Sequence, residues 1–113
     1  MPDDMHEITS GEQFDREVLG ETDRPVVVTF LAEWCGDCQV LKPHVRQWAT
    51  DYVGRMKFVW VADARRDLED RYGVGMIPDV IVFVGGKLIS RWVNVADGNA
   101  YRATFDRILK VMS

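Results

Sequence analysis

Three features of the sequence predict an α/β fold. Two short apolar runs, 26–32 (VVVTFLA) and 57–63 (KFVWVAD), are rich in β-branched residues and lack polar alternation, as strands covered on both faces do. Apolar residues recur at helical spacing between and around these runs. Gly85-Gly86 separates two further strand-like runs, the pattern of a tight hairpin. The resulting order is helix, strand, helix, strand, helix, hairpin, helix, which makes a βαβ half followed by a ββα half.

Each element has its local signal. Thr9-Ser10-Gly11-Glu12 fits a capping box, with Thr9 as the cap and Glu12 three residues on, opening a short helix that carries Phe14, Val18 and Leu19. The stretch ETDRP ends it, and Arg24-Pro25 leads into the first buried strand. After Cys35 a second helix spaces Val40, Leu41, Val45 and Trp48 roughly three to four residues apart. Pro43 sits inside it, and its missing N–H should kink the axis. ARRDLEDRYGVG reads as a short polar helix with Leu68 and Tyr72 inward, closed by Gly73 or Gly75. DVIVFV and KLISRWV are the hairpin strands, the second alternating. The last helix begins near 97–99 and places Tyr101, Phe105, Ile108, Leu109 and Met112 on one apolar face.

Composition narrows the function classes. A chain of 113 residues, 47% hydrophobic, is expected to form one domain (1–113) whose core needs no disulfide staple. The net charge is −4 and Lys and Arg form no stripe, which argues against nucleic acid. Arg65-Arg66 is followed at once by Asp67, Glu69 and Asp70 and reads as a solvated helix face. No run of 18 apolar residues is present, so no membrane span is expected. The first ten residues carry Asp3 and Asp4 and no apolar stretch, so no secretory signal is expected. These features favour a cytoplasmic monomer with reduced thiols. No repeat, linker or low-complexity tract interrupts the chain.

Both cysteines lie in AEWCGDC, residues 32–38. Structural zinc needs four ligands, and the only histidines, His6 and His44, have no paired spacing. A structural disulfide between residues three apart would remove little unfolded-chain entropy. Redox chemistry suits the placement better. A strand-to-helix junction sets Cys35 at a helix N-terminus, where free N–H groups and the macrodipole favour a thiolate. Cys38 follows one turn later, within reach of a mixed disulfide on Cys35.

Over nearly its whole length the chain resembles the thioredoxin family. F-L-A-E-W-C-G-D-C is similar to the family's F-W-A-E-W-C-G-P-C, and Pro43 matches its helix-kinking proline. Y-G-V-G-M-I-P-D resembles Y-x-I-x-x-I-P-T, which puts Pro78 on the family's cis-proline, and F-V-G-G matches the F-x-x-G hairpin. The resemblance implies a thioredoxin fold: a central mixed four- to five-stranded sheet with helices on both faces. It implies a thiol–disulfide oxidoreductase that reduces protein disulfides, with Cys35 as nucleophile and Cys38 as resolving thiol. Trp34 would rim the thiols with Gly36 and Asp37 between them, and Ile77 and Pro78 would face them, the Ile77 backbone pairing with the substrate strand. No bound cofactor or metal is implied. Electrons would come from a partner such as an NADPH-dependent thioredoxin reductase.

Departures from the pattern carry expectations of their own. Thr29 takes the place of a buried Asp credited with deprotonating the resolving thiol, and counting along the chain puts Val59 in place of a nearby Lys. Asp37 replaces the Pro between the cysteines. Its carboxylate competes with a Cys35 thiolate for the same positive helix end, which disfavours the thiolate and makes the couple more reducing. A rival role for Asp37 is proton acceptor for Cys38. Asp79 replaces Thr after Pro78 and would join Glu33 and Asp37 in an acidic docking surface that selects basic or neutral disulfides. Asn94 replaces a groove Gly, and Leu31 the first Trp of the motif. Two other readings stay open: a thioredoxin-fold binding module with incidental thiols, and a dimer in which Cys35 from two chains ligates an iron–sulfur cluster.

Overall fold

The computed structural model describes residues 5–62 and 66–112. Five strands form one mixed sheet in the order β1-β3-β2-β4-β5. These are β1 (Met5–Ile8), β2 (Val26–Leu31), β3 (Lys57–Ala62), β4 (Asp79–Val84) and β5 (Lys87–Val93). β1 and β2 flank β3 in parallel, while β4 runs antiparallel to β2 and β5 antiparallel to β4. The helices are α1 (Gly11–Phe14), which continues as a π-helical turn (Asp15–Leu19), α2 (Gly36–Asp51), α3 (Arg66–Tyr72) and α4 (Arg102–Met112). A 3₁₀ turn, Gly98–Ala100, precedes α4 and is capped by the Asp97 carboxylate, which accepts from the Asn99 N–H.

Strand alternation sorts the apolar residues into two layers. Val27, Phe58, Val80 and Val82 face Leu41, Val45 and Trp48 of α2 and Phe105 of α4. Val26, Val28, Phe30, Val59, Val61, Ile81 and Phe83 face Phe14, Val18 and Leu68 on the other side. β2 is buried at every position, as its unbroken apolar run requires.

The structure corrects several details. MHEI forms β1, a strand that the helix-first order omitted; the parallel partner β3, not its own short pattern, makes it one. The cap of α1 is Ser10, whose Oγ accepts from the Gln13 N–H at 3.0 Å, and Gln13 rather than Glu12 reaches back, to the Thr9 N–H at 2.8 Å. Val40 points outward, 57% exposed, since only Cys38, Leu41, Val45, Trp48 and Ala49 of α2 face the sheet. Pro43 lies inside α2. Met112, expected on the inward face of α4, is 41% exposed. Asp63, Ala64 and Arg65, part of the expected strand end and basic pair, lie outside the described residues.

Three glycines are required by backbone conformation or close approach. Gly85 and Gly86 both adopt positive φ (57° and 82°), as a tight hairpin turn demands. A Cβ on Gly86 would also lie 3.0 Å from the Leu19 carbonyl oxygen. At Gly98 a Cβ would fall 2.2 Å from the His44 ring, so this glycine lets the 3₁₀ turn close on α2.

Candidate active site around a dithiol

β2 ends at Leu31 and delivers the chain to the N-terminus of α2. The Cys35 N–H donates to the Ala32 carbonyl at 3.2 Å, closing the turn between them. Cys35 is the N-cap of α2, with extended backbone (φ −91°, ψ 115°), and its sulfur accepts the Cys38 N–H at 3.2 Å. This is the place a Ser or Asp cap usually fills, with sulfur accepting from one of the helix's unpaired donors. Both cysteines are free thiols; Cys35 is 8% exposed and Cys38 1%.

The Ile77–Pro78 peptide is cis, and the Cys35 thiol points at the Ile77 carbonyl, 3.7 Å away. Ile77 and Trp60 pack against a small cluster of Leu31, Ala32, Cys35 and Cys38. Trp34 is 73% exposed beside the thiols, and Met76, next to Ile77, is 56% exposed. Gly36 and Asp37 are exposed, and a Cβ on Gly36 would meet nothing within 4 Å. The structure thus brings Trp34, Cys35, Gly36, Asp37, Cys38, Ile77 and Pro78 to one end of the sheet, with Pro78 buried.

Burial pushes the Cys38 thiol up to about 12, helped by its hydrogen bond with Cys35 and by the charges of Cys35 and Asp37; a backbone bond to Ala32 opposes the rise. The Asp37 carboxylate therefore makes Cys38 harder to deprotonate. Thr29, in β2 opposite Trp60, is fully buried, and its Oγ1 has no hydrogen-bond partner among the described residues.

Two expectations about neighbouring residues change. Val59 belongs to the opposite core, and the β3 residue paired with Thr29, and so on its face, is Trp60. Trp60 carries two cations over its ring, Lys42 Nζ at 5.2 Å and Arg46 Cζ at 5.7 Å from the centroid. Asp79 does not belong to an acidic docking surface: it is fully buried and forks with Arg91 (Nε–Oδ1 3.0 Å, Nη2–Oδ2 2.5 Å). A carboxylate there needs a partner, and β5 supplies it across the hairpin. Arg91 also donates to the Tyr72 carbonyl at 2.7 Å, tying the end of α3 to the residue after Pro78. Asn94 takes positive φ (59°), a conformation Asn tolerates better than most residues, and its N–H donates to the Pro78 carbonyl at 2.7 Å. The Trp60 and Arg91 contributions were missed because neither lies in a motif; only the strand register reveals them.

Comparison with known proteins agrees with this geometry. The thioredoxin family model matches residues 5–107. Thioredoxin M4, chloroplastic, of Arabidopsis thaliana is 35% identical over 101 residues, 88% of this chain and 52% of that protein, so the chain spans about half the length of this plant relative. Thioredoxin 1 of Nostoc sp. is 34% identical over 97 residues, 85% of this chain and 90% of that protein. The X-ray structure of Fasciola hepatica thioredoxin superposes with a TM-score of 0.84 at 25% identity, covering 91% of this chain and 98% of that one. With its five-stranded mixed sheet, its capping Cys35 and its cis Ile77–Pro78 loop, the chain belongs to the thioredoxin family of thiol–disulfide oxidoreductases.

Proposed function

We propose that this chain reduces protein disulfides, with Cys35 as the attacking thiol and Cys38 as the resolving one. The observation that carries this reading is the Cys35 sulfur at the mouth of α2, accepting the Cys38 N–H while facing the Ile77 carbonyl. Free N–H groups at a helix start favour sulfur as an anion. The Cys35 thiolate attacks one sulfur of a client disulfide, forming a mixed disulfide and releasing the other client sulfur as a thiolate that takes up a proton. Cys38 then loses its proton and attacks the Cys35 sulfur. The second client thiol leaves, and a Cys35–Cys38 disulfide remains. Two electrons pass from the protein to the client.

The Ile77 backbone and the exposed Trp34 supply the docking edge, the first as a hydrogen-bond partner for an extended client segment and the second as an apolar rim. No helix among the described residues is long and apolar enough to cross a membrane. A reductant must be recharged, so the reading places the chain in a reducing compartment such as the cytoplasm, as a monomer served by a disulfide reductase.

Reduction of insulin disulfides driven by dithiothreitol tests the reading. Turnover should be lost in Cys35→Ser, while Cys38→Ser should accumulate the mixed disulfide. Equal turnover in wild type and Cys35→Ser would refute it, as would alkylation of Cys38 ahead of Cys35.

A further inference from the structure

One exposed residue in the first turn of α2 bonds the chain on both sides of Trp34. The Gln39 side-chain amide donates through Nε2 to the Glu33 carbonyl at 3.0 Å, and the Gln39 backbone N–H donates to the Cys35 carbonyl at 3.1 Å. We propose that Gln39 is a positioning residue for client docking: its side chain holds the Glu33–Trp34 peptide against α2 and so sets the direction of the Trp34 indole at the rim of the dithiol. The inference rests on the reductase reading and adds to it a residue that acts through Trp34.

The backbone geometry carries the argument. A side chain leaves its Cα in a direction set by the two peptide planes that meet there. The plane after Trp34 is held by the Cys35 N–H, which donates to the Ala32 carbonyl at 3.2 Å. The plane before it carries the Glu33 carbonyl, and that oxygen accepts from Gln39. Burial does little to direct a residue that is 73% exposed, so these two bonds matter for Trp34. Cys35 is restrained separately: it caps α2, accepts the Cys38 N–H and packs with Leu31, Ala32 and Cys38. The Gln39 amide therefore bears on docking and not on the attacking sulfur.

The residue type suits the task. An amide donates without bringing charge to the helix end that serves the Cys35 sulfur. A Glu of the same length has no proton to give when ionised, and a Lys or Arg would add a cation beside the dithiol. A solvent-facing helix position needs no side-chain partner. What singles out Gln39 is a bond that leaves its own helix for the turn before it.

Gln39→Met tests this, since it keeps the length, neutrality and helix preference of the side chain and removes only its donor, at an exposed position. In reduction of a peptide disulfide driven by dithiothreitol, it should raise KM about threefold, the scale of one solvent-facing hydrogen bond, with kcat unchanged. The same substitution in a Trp34→Ala background should leave KM where Trp34→Ala alone puts it, because the route through the indole is gone. An unchanged KM in the single variant overturns the assignment, and so does a rise that persists without Trp34. NMR relaxation at the Trp34 backbone amide and indole N–H reads positioning apart from turnover: order parameters there should fall in Gln39→Met and hold at the Cys38 amide. Equal Trp34 order parameters in the two proteins refute the role of Gln39. Lower ones in a protein that reduces nothing uphold the positioning of Trp34 and place the failure in the reductase reading.

Discussion

At the residue scale, the chemistry of the site is set by what surrounds Cys38. Its thiol is raised to about 12 by burial first, then by Cys35 and by the nearby Asp37 charge, so at neutral pH little of it is thiolate. Only the thiolate attacks, so resolution of a mixed disulfide should accelerate as pH rises from 7 toward 9, approaching tenfold per unit. Stopped-flow measurement on a preformed mixed disulfide checks this, and a flat profile would mean that another group takes the proton. Thr29→Asp, which puts a carboxylate at the buried β2 position opposite Trp60, itself packed on the cysteine cluster, should raise the rate at pH 7 and flatten the slope. Asp37 acts in the opposite sense on Cys38, since a carboxylate in the first turn of α2 opposes a second anion there. Asp37→Pro should therefore make the couple less reducing against glutathione; an unchanged equilibrium constant would show that solvent screens the carboxylate.

At the element scale, the loop from α3 to β4 is held by an ion pair rather than by its own sequence. Arg91 on β5 grips Asp79 at the start of β4 and the carbonyl of Tyr72 at the end of α3, so both ends of the segment carrying Ile77 and Pro78 hang on one guanidinium. Arg91→Met would strand a fully buried carboxylate. It should cost about 2–4 kcal/mol, below the top of the range for buried pairs because the Arg91 side chain is 27% exposed. The double variant Asp79→Leu/Arg91→Met removes both charges and should recover most of that loss in urea unfolding, because the penalty lies in the orphaned charge. If the double variant is as unstable as the single one, packing around Arg91 rather than charge is what matters. The same logic explains why Asp79 was misread from sequence as a surface acid: its partner is twelve residues away, and only the β4–β5 register puts them side by side.

At the scale of the whole molecule, two cores on opposite faces of one sheet make the site rigid. Phe105 joins α4 to α2 and to the sheet through Trp48, Tyr52, Phe58, Trp92 and Tyr101, with ring centroids 5.2 to 6.2 Å apart. Phe105→Ala should destabilise the fold by about 3–5 kcal/mol, since so many rigid rings cannot collapse into the gap. Thermal unfolding would show it, and a loss under about 1 kcal/mol would mean that α4 is more loosely attached than its packing indicates. Reactivity of Cys35 toward a small alkylating agent should barely change in that variant at temperatures where it stays folded, because Phe105 packs with the α2–α4 core and not with the cysteine cluster.

Local chemistry was enough to determine most of this protein. The β-branched runs, the Gly85-Gly86 turn and the apolar face of α4 each carry their own short-range preference, and W-C-x-x-C and I-P mark in the sequence residues that the fold brings together, Cys35 and Cys38 with Ile77. What tertiary structure alone decided involves partners distant in the chain. β1 exists because β3 offers it a parallel edge, and Trp60 shares the face of Thr29, with Val59 turned into the other core, because strand register fixes it. Asp79 is a buried ion-pair member because β5 brings Arg91 to it. Short-range preferences act through neighbouring residues and can be read from sequence. Register and ion pairing across a sheet depend on which strands meet, and that is settled only when the whole chain packs.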